Sequence, residues 1–214
     1  MEYRINNKKV RIFSQYLEEI NRGTEGIVYK YNGKCLKFYH DEPKKSVLSF
    51  RDCEYMTKLD TERVLLPEAT VCDKKHAIKG YVINPYVERE KDVYDISGEH
   101  FLNEVEMVKD ELIYLGENYI TVEDFWLDNF ICSDKFYFLD PGSYIVHWDM
   151  IGLDDDKSFI FLANYNLEQF NMFLVVYIIL KYIKKLEEQI EVNKAKIEKI
   201  KLELKGEIQD VCEN

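Results

Sequence analysis

The chain predicts an α+β fold, and three observations carry that expectation. Up to about residue 87 the sequence runs in short, loosely alternating apolar stretches separated by turn residues, the pattern of paired strands. An Asn32-Gly33 dipeptide divides two of these stretches, and Asn-Gly in that position is the signature of a two-residue type I′ hairpin. From about residue 101 the apolar spacing changes to that of helices, and beyond Leu167 it stays helical almost to the end.

Composition bounds the rest. With 214 residues and 46% hydrophobic content, the chain can build the core of one large domain or of two small lobes. The net charge is -11, from 29 Lys and Arg against 40 Asp and Glu, which argues against a nucleic-acid partner. The five cysteines are scattered without a C-x-x-C pair and read as reduced thiols of a cytoplasmic protein. The start lacks the apolar core of a secretory signal, and the longest apolar run, Met172 to Leu180, is nine residues, too short to span a bilayer. No membrane partner is expected.

In order, Val10 to Tyr31 and Lys34 to Tyr39 predict strands on either side of the Asn-Gly turn, with glycines at 23 and 26 in an earlier turn. A helix follows Pro43 and a serine cap, with its apolar face at Val47, Phe50, Cys53 or Glu54, Met56 and Leu59. Ala69 to Cys72 and Ile78 to Val87 predict two more strands. A second helix spans about Phe101 to Leu115 and stops at Gly116.

The most informative stretch is Val122 to Tyr144. Asp124 and Asn129 stand five positions apart. The apolar runs Phe130 to Cys132 and Phe136 to Leu139 flank Ser133-Asp134-Lys135 as a short hairpin. Asp140-Pro141-Gly142 follows. Two hard oxygen donors on either side of a hairpin suit a divalent cation, and a further carboxylate suits proton removal from a hydroxyl. Taken singly, Asp-x-x-x-x-Asn and Asp-Pro-Gly are also ordinary loop and turn sequences.

Taken together and in order, these features resemble the protein kinase-like superfamily, which includes small-molecule kinases such as the aminoglycoside and choline phosphotransferases. The resemblance covers roughly residues 10 to 145. Asn21-x-Gly23-x-x-Gly26-x-Val28 is similar to the phosphate loop G-x-G-x-x-G-x-V, and Lys37 stands where that family carries the lysine of V-A-I-K. Glu54 stands at the helix glutamate, Asn84 near the gatekeeper and Pro85 to Val87 at the hinge. Asp124 to Asn129 resembles the catalytic loop and Asp140 to Gly142 the D-F-G segment. The resemblance implies a two-lobed protein kinase-like fold with a reduced C-lobe and a long C-terminal helix. Residues 1–87 form the N-lobe, a twisted antiparallel sheet plus one helix. Residues 88–214 form a mainly helical C-lobe with the catalytic loop at 122–144 and a helical tail at 167–210. It further implies an ATP- and Mg²⁺-dependent phosphotransferase acting on a hydroxyl. Gly23, Gly26, Val28, Lys37, Asn84 and Tyr86 would bind the nucleotide, Lys37 and Glu54 would form the positioning ion pair, Asp124 would be the base, and Asn129 and Asp140 the metal ligands.

The departures from the family pattern bear on regulation and substrate. Val122-Glu123 replaces His-Arg before the catalytic Asp, and Pro141 replaces the D-F-G aromatic. No A-P-E follows, so the chain has little room for a peptide-docking platform, and the acceptor is either a protein or a small molecule. His147, Asp149 and Asp154 to Asp156 suit a cationic substrate or form a solvated acidic loop. The alternative function is a pseudokinase, a nucleotide-binding or scaffolding module that recruits a partner through its tail.

In that tail, Phe170 to Ile183 is apolar nearly all round and predicts a buried helix. Ile183, Leu186, Ile190, Asn193, Ile197, Ile200 and Leu204 then follow 3,4 spacing, a seam that either forms a homodimer or folds back on the same chain, fraying at Gly206.

Overall fold

Alternation at the N-terminal end gives an antiparallel sheet. A computed structural model describes residues 2–5, 8–40, 48–88, 98–133, 135–152 and 156–212 of this α+β chain. Its strands are β1 (Glu2–Ile5), β2 (Lys8–Arg11), β3 (Glu18–Arg22), β4 (Gly26–Tyr31), β5 (Lys34–Tyr39), β6 (Pro67–Cys72) and β7 (Ile78–Ile83), in the order β2-β1-β6-β7-β5-β4-β3. Every pairing in this sheet is antiparallel. Strands β3 to β7 are the five that the sequence pattern announces in broad outline; the β1–β2 hairpin extends them at the β6 edge, through Arg4 opposite Cys72.

The turn between β4 and β5 has the expected chemistry. Asn32 and Gly33 have φ of 50° and 74°, both left-handed as a type I′ turn demands, and Tyr31 pairs with Lys34 across it. Side chains alternate faces along a strand, so the register Leu36 opposite Val82 opposite Ala69 lines up one face, and these residues join Ile12 and Val71 in a buried core.

Helix α1 (Phe50–Met56) follows the sheet's central hairpin and begins with a complete capping box, in which Ser49 Oγ accepts the Asp52 amide and Asp52 accepts the Ser49 amide. Helix α2 (Gly98–Glu117) is longer than the expected 101–115 span and runs through Gly116. That glycine serves packing: a Cβ there would lie 2.4 Å from the Ala163 backbone. The left-handed residue that ends the segment is Tyr119, with φ of 57°.

Beyond α2, β8 (Ile120–Val122) pairs with β11 (Tyr144–Val146), enclosing the hairpin β9 (Phe130–Cys132) and β10 (Phe136–Phe138). Phe130, Phe138 and Phe170 are buried under this hairpin, with ring centroids 5.0 Å apart for Phe130 and Phe138 and 5.6 Å for Phe138 and Phe170. The segment entering β6 lies alongside β10: the Leu65 amide donates to the Phe138 carbonyl and the Phe138 amide to that of Arg63. Buried Glu104 of α2 grips both, accepting Arg63 Nε at 3.0 Å and the Phe136 amide at 3.0 Å.

Helix α3 (Asp156–Cys212) begins eleven residues before the expected tail at 167 and passes through Gly206 without stopping. Buried Asn166 secures its first part, accepting the Val122 amide and donating to the Leu112 and Ile120 carbonyls. The stretch from Phe170 to Ile183 departs from the expected burial all round: Phe170, Phe173 and Tyr177 are buried, whereas Met172, Val175, Ile178, Ile179 and Tyr182 are exposed. The chain divides into two compact units, residues 1–171 and 172–214. Among the described residues no helix is long and apolar enough to cross a membrane.

Candidate functional site

Sheet register assembles the first half of the site. Val28, Lys37, Tyr81 and Thr70 lie opposite one another on four neighbouring strands, β4, β5, β7 and β6, so they share one face, the face away from the Leu36 core. Two glycines let the backbones close around Lys37. A Cβ at Gly26 would sit 2.1 Å from the Phe38 carbonyl oxygen, and one at Gly80 would sit 1.9 Å from that of Lys37. Gly26 is therefore required by strand packing whatever else it does; Gly23, in the turn before it, has open space around its Cα.

The second half comes from the β9–β10 hairpin. Phe130 opposite Phe138 sets its register, and the Leu139 amide donates to the Asn129 carbonyl at 2.8 Å, which brings Asn129 and Asp140 to the same open end. Asn129 turns its amide nitrogen to Asp124, donating to the backbone oxygen at 3.2 Å and to Oδ2 at 3.3 Å. Its carbonyl oxygen is thereby the atom left for a cation. Asp140 is in the left-handed region, φ 77° and ψ 61°, a conformation that Asp tolerates at a cost of about 1 kcal/mol or more. Its carbonyl accepts the Ser143 amide and hydroxyl, and a Cβ on Gly142 would stand 3.1 Å from Asp140 Oδ1.

Lys37 and Asp140, 103 positions apart, meet with Nζ to Oδ1 at 2.6 Å. The Tyr81 hydroxyl donates to the same oxygen at 2.6 Å, and Lys37 Nζ also reaches Glu25 Oε2 at 3.1 Å. The lysine side chain is 12% exposed and that of Asp140 18%, so this is a largely desolvated cluster in which charge and hydrogen bonding act at short range. Burial, then the Asp140 charge, push the Tyr81 phenol well above its ordinary range, so it remains a neutral donor. Both donors engage Oδ1, so a cation at this carboxylate would be held through Asp140 Oδ2. Asn129 and Asp140 thus offer hard oxygen donors of the kind Mg²⁺ takes. Among the described residues no group of three or more His, Cys, Asp or Glu is placed to hold a metal ion.

Glu54 is where expectation and structure part. It is exposed on α1, and the carboxylates on Lys37 are those of Glu25 and Asp140. The reason is the phase of a short helix: Cys53 and Met56 take the buried face, and Glu54 is turned about 100° away from Cys53. Helix α1 docks instead through Trp148, whose Nε1 donates to Asp52 at 2.6 Å, whose ring lies 3.6 Å from the Arg51 guanidinium and packs edge-on against Tyr55.

Asn84 is exposed. Tyr86 donates its amide to the Gly33 carbonyl at 2.7 Å and carries Lys30 Nζ 4.2 Å above its ring. The Gly23 to Gly26 turn and Tyr86 lie at opposite ends of the β4–β5 hairpin, roughly 17 Å apart along the strand, with Lys37 between them. Asp124 is half-buried and Val28 likewise. His147 turns inward to Thr121 Oγ1 at 2.9 Å and Asp149 is exposed; Asp154 and Asp155 lie outside the described residues, as does Val47. Sequence reasoning missed Glu25 and Tyr81. Tyr81 was findable, since any strand pairing that puts β7 beside β5 sets it next to Lys37; Glu25 left no signal beyond its place in the glycine turn.

No protein-family model matches this chain, and no curated protein matches it in sequence.

Proposed function

We propose that this chain is an ATP- and Mg²⁺-dependent phosphotransferase of the protein kinase-like superfamily, two-lobed, transferring the γ-phosphoryl group to a hydroxyl of a protein or small molecule. The observation that carries this reading is the Lys37–Asp140 ion pair at 2.6 Å, formed between a glycine-flanked strand and the end of a hairpin that also presents Asp124 and Asn129. A structural ion pair needs no such surroundings. Lys37 holds nucleotide phosphates, Asn129 Oδ1 and Asp140 Oδ2 hold the cation, and Asp124 orients the acceptor hydroxyl and takes its proton. When bound, Mg²⁺ supplies neutralisation of the charge that develops on the phosphoryl oxygens. Glu25, in the phosphate-loop turn, yields Lys37 when nucleotide enters, since it and the phosphates compete for one ammonium group. Tyr81 keeps Asp140 in its left-handed pose.

Two observations favour the second reading, a pseudokinase: Lys37 already carries two carboxylates, and the Tyr86 amide is already spent on Gly33. The deciding experiment measures ATP binding and turnover with Mg²⁺ in wild type, Asp124→Ala and Asp140→Ala. Turnover lost in Asp124→Ala with binding retained, and Mg²⁺-dependent binding lost in Asp140→Ala, supports the enzyme. Binding without turnover in the wild type supports a nucleotide-binding pseudokinase, and no binding in any of the three overturns the enzyme and leaves the scaffolding module.

A further inference from the structure

Helix α3 carries two different apolar faces. Written as heptads with Ile183 at position a, the buried residues Phe170, Phe173 and Tyr177 occupy b and e. Val176, Ile183, Ile190 and Ile197 at a, and Met172, Ile179, Leu186 and Ile200 at d, form a second stripe turned by about 100°. This second stripe is bare. Its members from Ile183 onward are 44% to 54% exposed, and from residue 185 to 202 no side chain is buried. Polar contacts along that stretch include Lys194 with Glu191 and Lys201 with Glu198, which are solvent-exposed pairs of small worth.

We infer that this seam joins a second copy of the same chain in an antiparallel coiled coil centred between Glu191 and Val192. The register is self-complementary: Ile183 meets Ile200 of the other copy, Leu186 meets Ile197, and Ile190 meets Asn193, and each contact recurs by the twofold axis. Charge selects the orientation. Antiparallel pairing sets Glu187 beside Lys194 of the second copy, twice, and Gln189 beside Lys196. A parallel, in-register pair sets Lys196 against Lys201, twice, with no opposite charge in return. The one polar core residue is provided for within its own helix, since Gln189 Nε2 donates to Asn193 Oδ1 at 3.2 Å. Lys194 and Glu191 are 64% and 71% exposed, so that pair yields readily to a new partner. The inference is independent of the catalytic reading.

Sedimentation equilibrium of the full-length chain tests it. The wild type dimerises in the micromolar range, and Ile190→Asp weakens association at least about tenfold without loss of helicity, because the side chain it removes is exposed in the single chain. Glu187→Lys weakens association, and adding Lys194→Glu to it restores the wild-type affinity. A monomer throughout the micromolar range, a dimer indifferent to Ile190→Asp, or a double charge reversal that fails to restore affinity overturns the proposal; in a parallel dimer residues 187 and 194 face Tyr182 and Gln189, and the swap has nothing to restore.

Discussion

The Lys37 row of the sheet and the stretch of α3 from 185 to 202 have opposite economies of surface. On the sheet, the Lys37 ammonium and the Tyr81 phenol are largely desolvated and paired, Lys37 with Glu25 and Asp140, Tyr81 with Asp140. On the helix, Leu186, Ile190, Ile197 and Ile200 stand in solvent while the charges beside them are scarcely buried. Burying polar groups demands hydrogen bonds, and exposing aliphatic groups in register demands a surface to cover them. The difference teaches that periodicity alone does not say whether a face is core or interface; the burial of the opposing surface does.

The comparison breaks most visibly under truncation of apolar residues. Leu36→Ala, at a site 1% exposed, should cost about 2–5 kcal/mol, whereas Leu202→Ala, 70% exposed and off the seam, should stay within about 0.5 kcal/mol. Urea unfolding of both variants measures this; comparable losses would mean the helix surface is core. Ligand comes next. With Mg²⁺-ATP at a hundred times its dissociation constant, the wild type should gain about 2.7 kcal/mol, a rise of roughly 5–10 °C in melting temperature, and Asp140→Ala should gain nothing. Leu202→Ala should respond like the wild type.

Two smaller effects sharpen the polar side. Tyr81→Phe removes a hydrogen bond to a carboxylate in a buried site and should cost about 1.5 kcal/mol, while Tyr144→Phe should be neutral, because the buried Tyr144 hydroxyl has no hydrogen-bond partner among the described residues. Equal losses in thermal melts would deny the Tyr81–Asp140 bond any special place. Burial also raises the Cys35 and Cys53 thiols, to about 11 and about 12 from an ordinary 9.0. The unfolded chain then releases those protons first as pH climbs, so their contribution is whole well below pH 9 and declines up to about pH 11 for Cys35 and about pH 12 for Cys53, by at most about 1.4 kcal/mol per thiol per pH unit. Urea titrations from pH 8 to 11 should show it, and Cys53→Ala should flatten the slope. A disulfide reagent at pH 8 should leave both thiols unmodified until the protein unfolds.

Much of the architecture was legible in the residues themselves. Alternation, the Asn32-Gly33 turn and the Phe130 to Phe138 hairpin determined the sheet and the hairpin, because strand faces and type I′ turns depend on neighbours within a few positions. The spacing from Asp124 to Asn129 is likewise local, and the hydrogen bond between them closes within that loop. The β1 and β11 strands were not legible, since three or four residues acquire a strand identity only from the partner that pairs with them.

What only the tertiary structure decided was partnership between distant residues. Position 54 reads as well as position 53 for the inward face of α1 until Trp148 docks on Asp52 and Tyr55 and sets the helix's rotation. Lys37 needed a carboxylate, and the sequence offered Glu54; folding supplied Glu25 and Asp140, because sheet register and the β10 pairing set those groups within 3.1 Å and 2.6 Å of its ammonium. Local rules determine which way a side chain faces on its own element, but the rotation and offset of one element against another follow from packing summed over both.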